Sequence, residues 1–168
     1  MNIKLSIIIL AITCSLNINA QQSYRTVKGI KSNYSLTIPS NYNKKETIGT
    51  NVDLKFVNQE GASIIIIVKN IPNTNSKNDI TQMNNISNEE FVNELSFGGT
   101  EEVEILKRDF TLINNVNSFI LDYKDSELYT HSVMQYRNGK SILLIYSCPV
   151  NKKSTYLPYI YKVSNSLK

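Results

Sequence analysis

The sequence predicts an α+β fold built on an antiparallel β-sheet of about six strands. Three observations predict it. Ser63-Ile64-Ile65-Ile66-Ile67-Val68 is a β-branched run with no apolar/polar alternation, as expected of a strand that needs cover on both faces. Asn138-Gly139 separates two strand-like runs, Leu128 to Arg137 and Ser141 to Cys148, and that dipeptide suits the two left-handed positions of a type I′ hairpin. Ser87 and Glu90 stand three residues apart at the head of an amphipathic stretch, the pattern of a capping box at a helix start.

The chain opens on Met1-Asn2-Ile3-Lys4, a short positive start, followed by an apolar run from Leu5 to Leu16 and then Asn17-Ile18-Asn19-Ala20. With Ile18 and Ala20 at the −3 and −1 positions of a cut before Gln21, this is the layout of a secretory signal peptide. A membrane-spanning helix needs about 20 apolar residues and this run has about a dozen, so no transmembrane anchor is expected. Ala11-Ile12-Thr13-Cys14 resembles a lipobox, which leaves a lipoprotein anchored through Cys14 as an alternative. Residues 21–168 are then a single α+β domain, secreted or periplasmic and long enough for a real core. That mature chain keeps only Cys148, so it cannot close an internal disulfide.

Along residues 21–168 the elements follow in order. Tyr34-Ser35-Leu36-Thr37-Ile38 alternates like a strand and stops at Pro39. Residues 41–51 are polar and loop-like. Val52 to Phe56 alternates again, and Gln59-Glu60-Gly61 turns the chain, with Gly61 supplying a left-handed position. Residues 70–85 form the longest irregular stretch, either an exposed connection or a binding loop. A helix is predicted over 87–97. Ile86 and Phe91 fit a hydrophobic staple, Glu89 and Glu90 sit at the positive end of the dipole, Phe91, Val92 and Leu95 face inward, and Gly98-Gly99 ends it.

A three-strand meander is predicted next. Glu102 to Leu112 is followed by a turn at Asn114-Asn115, Val116 to Tyr123, a turn at Lys124-Asp125-Ser126, and Leu128 to Arg137. Glu101, Glu102 and Glu104 with Lys107 and Arg108 read as protection of a sheet edge. The Asn138-Gly139 turn pairs Met134 with Leu143, Val133 with Leu144 and His131 with Tyr146. Successive apolar residues on the last strand again ask for cover on both faces. A closing helix begins at Ser154 or Thr155. Pro158 fits only in its first turn, and Leu157, Ile160, Tyr161 and Leu167 lie on one side.

This order of elements, opening on Tyr34-Ser35-Leu36-Thr37-Ile38-Pro39 and closing on Val163-Ser164-Asn165-Ser166-Leu167, resembles the Mog1/PsbP-like superfold over nearly all of residues 24–168. The resemblance implies helices on both faces of the sheet, an α/β/α sandwich. It also implies binding or assembly work without catalysis: members include photosystem subunits, effector chaperones, periplasmic lipoproteins and a partner of a nuclear GTPase. No functional residue is carried over, because no family site matches. A cystatin-like or lipocalin-like secreted fold is the competing architecture.

Charge and chemistry narrow the function. The formal charge is +4 with lysines and acids interspersed, so no concentrated basic footprint for nucleic acid is present. His131 is the only histidine and reads as a packed strand residue; a general base would need an acid in hydrogen-bond reach. Ser132 points to the opposite face. Cys148 reads as a buried hydrophobe. Asp122, Asp125 and Glu127 read as a solvated turn. No metal or cofactor site is expected, since one His and one Cys are too few ligands for zinc and the acids do not match a calcium loop.

Ten tyrosines stand beside five Phe and no Trp. Tyr156 and Tyr159, ringed by Lys152, Lys153 and Lys162, are the candidate partner-binding face, because tyrosine suits half-exposed anchors. The expected function is that of a non-catalytic accessory protein that binds another envelope or secreted protein. The alternatives are a small-ligand carrier and a small enzyme with an unrecognised site. Oligomeric state is left open.

Overall fold

The computed structural model describes residues 22–71, 80–95 and 102–168, the side chains of 94 and 95 excepted. The expected signal peptide with Cys14, residues 72–79 of the 70–85 loop, Gly98-Gly99 and Glu101 lie outside the described residues. The strands are β1 (Tyr24–Lys28), β2 (Ser35–Pro39), β3 (Asn43–Lys44), β4 (Val52–Val57), β5 (Ser63–Asn70), β6 (Glu104–Ile113), β7 (Val116–Lys124), β8 (Leu128–Arg137) and β9 (Lys140–Pro149). Helix α1 spans Asn88–Leu95 and α2 spans Lys153–Asn165, with 3₁₀ turns at Met83–Asn85 and Val150–Lys152. No helix among the described residues is long and apolar enough to cross a membrane.

All strand pairs are antiparallel. The main sheet runs β3-β4-β5-β9-β8-β7-β6, and β1-β2 form a separate ribbon. Six strands of the main sheet are long and one, β3, has two residues. Two strands were not foreseen. β1 pairs only with β2, and its Tyr24 and Val27 stand three residues apart, which gives no period-two pattern. β3 lies in the stretch expected to be loop. The long turn-to-turn register agrees with expectation: Met134 faces Leu143, Val133 faces Leu144 and His131 faces Tyr146. Asn138 and Gly139 both have positive φ, 49° and 72°, as a type I′ turn requires. β6 is one edge of the main sheet, and a register shift between Ile105 and Lys107 interrupts its pairing, which discourages further strand addition.

Burial alternates more than the apolar runs suggested. In β5, Ile64, Ile66 and Val68 are buried while Ile65 and Ile67 are only half-buried. In β9, Ile142 and Leu144 are buried and Leu143 and Ile145 are half-buried. Strand side chains alternate across the pleat, and the two faces are covered unequally. One face carries the main core, where Ile160 and Val163 of α2, then Leu167, meet Leu36, Ile38, Ile64, Ile66, Leu144 and Tyr146. The other face holds a smaller cluster at the β6-β7 side, in which Phe91 of α1 stacks on Phe119 at 5.6 Å and 15°.

The helix starts differ in mechanism. At α1, the Ser87 amide donates to Glu90 Oε2 at 2.7 Å and the Glu90 amide donates to Ser87 Oγ at 3.1 Å, so the expected capping box forms. Ile86 and Phe91 both join the smaller cluster, which is the staple. α2 starts at Lys153 after a 3₁₀ turn and has no side-chain cap. Pro158 therefore sits in its second turn rather than its first. Its missing N–H would have served the carbonyl of Ser154, and both residues are exposed, so water can satisfy that oxygen. The buried stripe of α2 is Tyr156, Ile160, Val163 and Ser164; Tyr161, expected inward, is 47% exposed.

Candidate functional site

Helix α2 begins beside the β4-β5 turn, because β5 pairs with β9 from Ser63↔Ser147 onward and brings Gln59-Glu60-Gly61 next to Pro149. Polar side chains from the two segments interlock there. Asn58 Oδ1 accepts from the amides of Glu60 at 3.0 Å and Ala62 at 2.9 Å, and its Nδ2 donates to Tyr156 Oη at 2.7 Å. Tyr156 in turn donates to Glu60 Oε2 at 3.1 Å, and Lys152 Nζ reaches the same oxygen at 2.8 Å. The lysine and then the phenol hold the Glu60 carboxyl below the usual carboxylate range. Burial pushes the Tyr156 phenol up.

The structure thus separates the five expected partner-binding residues. Tyr156 is 5% exposed with both ends of its hydroxyl engaged, so it is a buried support rather than an exposed contact. Lys152 is paired with Glu60. Lys153 Nζ lies 4.3 Å from the Tyr129 ring centre, and Lys162 Nζ lies 3.7 Å from that of Tyr24, both cation–π contacts. Tyr159 stays half-buried, with its ring edge-on to Tyr156 at 6.1 Å.

Tyr159 stands on the lip of a cleft of about 100 Å³. Its wall includes Asn41, Tyr42, Asn58, Glu60 and Thr155. Asn41, Tyr42, Asn58 and Glu60 were missed from sequence. The signal for Glu60 was the β4-β5 turn itself, which the β9 hairpin register carries to the head of α2. Two wider hollows, of about 270 Å³ beside Ile80 and Leu112 and about 720 Å³ beside Val92 and Asp125, are open to solvent and adjoin segments outside the described residues.

The residues with intrinsic chemistry lie beneath α2. Asp122 was expected in a solvated turn, but it is buried mid-strand in β7 opposite His131. His131 Nδ1 shares a 2.6 Å hydrogen bond with Asp122 Oδ1, and the two side chains are 2% and 8% exposed. His131 Nε2 has no hydrogen-bond partner among the described residues. The ring meets Tyr161 edge-on at 5.7 Å and 88°. Cys148 is fully buried, and burial pushes its thiol up to about 11, against a smaller opposing pull from Lys153. No group of three or more His, Cys, Asp or Glu able to hold a metal ion occurs among the described residues. Asp125 and Glu127 lie in the turn as expected, with Asp125 accepting from the amides of Glu127 at 2.7 Å and Leu128 at 2.6 Å.

No family model and no curated protein matches the chain. Solved structures do. The chain is similar to cyanobacterial PsbP (CyanoP) from Synechocystis sp., with TM-score 0.71 at 16% identity over 88% of this chain and 92% of that one. A protein from Bacteroides thetaiotaomicron gives TM-score 0.54 at 14% identity, covering 84% of this chain and 47% of that one. A protein of unknown function from Pseudomonas aeruginosa gives TM-score 0.50 at 14% identity, covering 86% and 96%. The chain has the PsbP/Mog1-like fold, an α+β architecture dominated by antiparallel sheet, and at these identities the likeness concerns fold alone.

Proposed function

We propose that the chain is an exported, non-catalytic accessory protein that binds another envelope or secreted protein through the cleft at the head of α2. The observation that carries this reading is the placement of reactive groups. His131 and Cys148 are sealed under α2, at 2% and 0% exposure, whereas the polar cleft around Tyr159 and Glu60 opens to solvent. A cleft of about 100 Å³ falls below the ~300 Å³ at which small-ligand pockets begin, but it suits one or two side chains of a protein partner. Export is the premise supplied by residues 1–20, with processing before Gln21 favoured over lipidation of Cys14. The α/β/α sandwich belongs to the same reading, with α1 as the beginning of the second helical layer that Ile65 and Leu143 lack.

The test is affinity capture from the envelope fraction, comparing the unmodified chain with Tyr159→Ala. One protein should be captured reproducibly by the former and lost with the latter, while Tyr159→Ala stays folded with a stability loss of only about 1 kcal/mol. A partner retained by Tyr159→Ala, or a turned-over substrate with no protein partner, would overturn the reading. The rival enzyme would use the Asp122–His131 pair, and it predicts an activity abolished by His131→Gln.

A further inference from the structure

The hairpin end of the sheet, opposite the head of α2, carries two bare isoleucines among lysines. Ile30, in the β1-β2 turn, is 70% exposed, and Ile48, in the β3-β4 loop, is 90% exposed. Isolated apolar residues on a surface usually mean nothing. These two differ in that the segments carrying them are tied to one another. Asp53 is buried, and its carboxylate accepts from the amides of Ile30 at 3.0 Å and Lys31 at 2.9 Å and from Tyr34 Oη at 2.6 Å. Lys31 Nζ donates to the carbonyls of Thr50 at 2.6 Å and Val52 at 2.8 Å, which ties the Ile30 turn to the Ile48 loop. Lys140 Nζ donates to the Lys31 carbonyl, and the Ile71 amide donates to that of Gly139, so the β8-β9 turn joins the same end.

Charge is unequal along the molecule. Lys28, Lys31 and Lys69 are exposed at this end and Lys140 is half-exposed. Asp53 is consumed internally, which leaves Glu46 as the exposed acid of the β3-β4 loop. The other end of the sheet holds Glu60, Glu102, Glu104 and Glu127, all exposed, of which Glu60 is paired with Lys152 and Glu104 with Lys124, leaving Glu102 and Glu127, with Lys153 at the same end. A chain polarised in this way approaches a negatively charged surface lysines first.

We propose that this end is a docking surface for an anionic lipid membrane, with Ile30 and Ile48 inserting into the headgroup region, Lys28 and Lys69 facing acidic headgroups, and Lys31 and Lys140 bracing the turns while adding positive charge behind them. Apolar side chains flanked by lysines on a pre-formed support match what peripheral binding needs, namely a little buried hydrocarbon plus attraction to anionic lipid. The surface is separate from the cleft at Tyr159, and the two stand or fall independently.

The experiment is co-sedimentation of the full chain with vesicles of phosphatidylcholine containing phosphatidylglycerol, against pure phosphatidylcholine vesicles. The chain should sediment with the anionic vesicles and be released by salt. Ile30→Ser with Ile48→Ser should weaken binding roughly tenfold or more, from the loss of two inserted side chains. Lys28→Glu with Lys69→Glu should abolish it, and neither pair should change thermal stability. Since the chain has no Trp, Ile48→Trp provides a single reporter whose emission should shift to the blue on anionic vesicles. Three results would overturn the proposal. One is equal binding to neutral vesicles that ignores Ile30 and Ile48, as the apolar run at 5–16 would produce. Another is vesicle binding with no tryptophan shift. The third is no vesicle binding at all, with capture on polyglutamate instead, which would assign the lysines to an acidic polypeptide.

Discussion

Tyr156 and Tyr159 are three residues apart on α2, meet edge-on, and have opposite consequences for stability. Tyr156 is enclosed and its hydroxyl serves both Asn58 and Glu60. Removing it opens a cavity and strands the Asn58 amide, so Tyr156→Ala should cost about 3–5 kcal/mol in urea unfolding. Tyr159 is half-buried, and Tyr159→Ala should cost about 1 kcal/mol. Equal losses would mean that the cleft lip is part of the core. Cys148 offers a second residue-level check. Its thiol, pushed up to about 11, leaves roughly one molecule in ten thousand as thiolate at neutral pH. No reagent path reaches a side chain at 0% exposure. Peptide mapping after iodoacetamide treatment should find Cys148 unmodified in the native chain and alkylated in denaturant. Rapid native alkylation would show that the α2 cover opens freely.

Among the elements, hairpins with two-residue turns were legible and longer connections were not. Asn138-Gly139 leaves one register open to its strands, and the pairs it implied are the pairs observed. The β7-β8 connection is longer and is shaped by Asp125 accepting from Glu127 and Leu128. Its register was therefore hidden, and with it the Asp122–His131 contact. The Tyr156 burial was hidden for a similar reason, since its partners sit 96 and 98 residues away on another turn. The unbroken apolar runs of β5 and β9 misled in a different way. They signal a central position in the sheet, which is correct, but not equal cover of both faces. The β8-β9 turn also yields a prediction. A Cβ on Gly139 would meet no atom closer than the Ile71 carbonyl oxygen at 3.8 Å, so space is not the obstacle. The cost of Gly139→Ala comes from φ of 72°, and left-handed backbone costs a non-glycine residue about 1–2 kcal/mol. Thermal or urea unfolding should register that loss with the β8-β9 register intact by amide exchange. A neutral substitution would mean that the turn relaxes to another type.

For the whole molecule, the most consequential feature is that its core is lined with phenols. Tyr34, Tyr42, Tyr129 and Tyr146 are 3%, 1%, 1% and 0% exposed. Tyr42 and Tyr146 share a hydroxyl–hydroxyl bond beneath α2, and Tyr34 donates to the Asp53 carboxylate. In each of the four, burial first of all pushes the phenol far above its ordinary value of 10.0, and Asp53 pushes Tyr34 further. The direction sets the sign. Below the ordinary value both folded and unfolded chains keep these protons, and stability does not depend on them. Above it the unfolded chain releases protons that the folded chain must keep, so stability falls as pH rises. Each phenol contributes a slope of about 1.4 kcal/mol per pH unit, so four acting together remove about 5–6 kcal/mol per unit. A domain of ordinary stability, about 5–15 kcal/mol, is exhausted within one to three units. Alkaline titration should therefore show a late, cooperative rise in phenolate absorbance that coincides with loss of the far-ultraviolet sheet signal. Tyr146→Phe should lessen the steepness, because one proton no longer takes part. Gradual ionisation of all ten tyrosines near the ordinary value, with the sheet signal intact, would mean that the phenols beneath α2 reach water in the folded chain, and the sealed core on which the surface-binding reading depends would be lost.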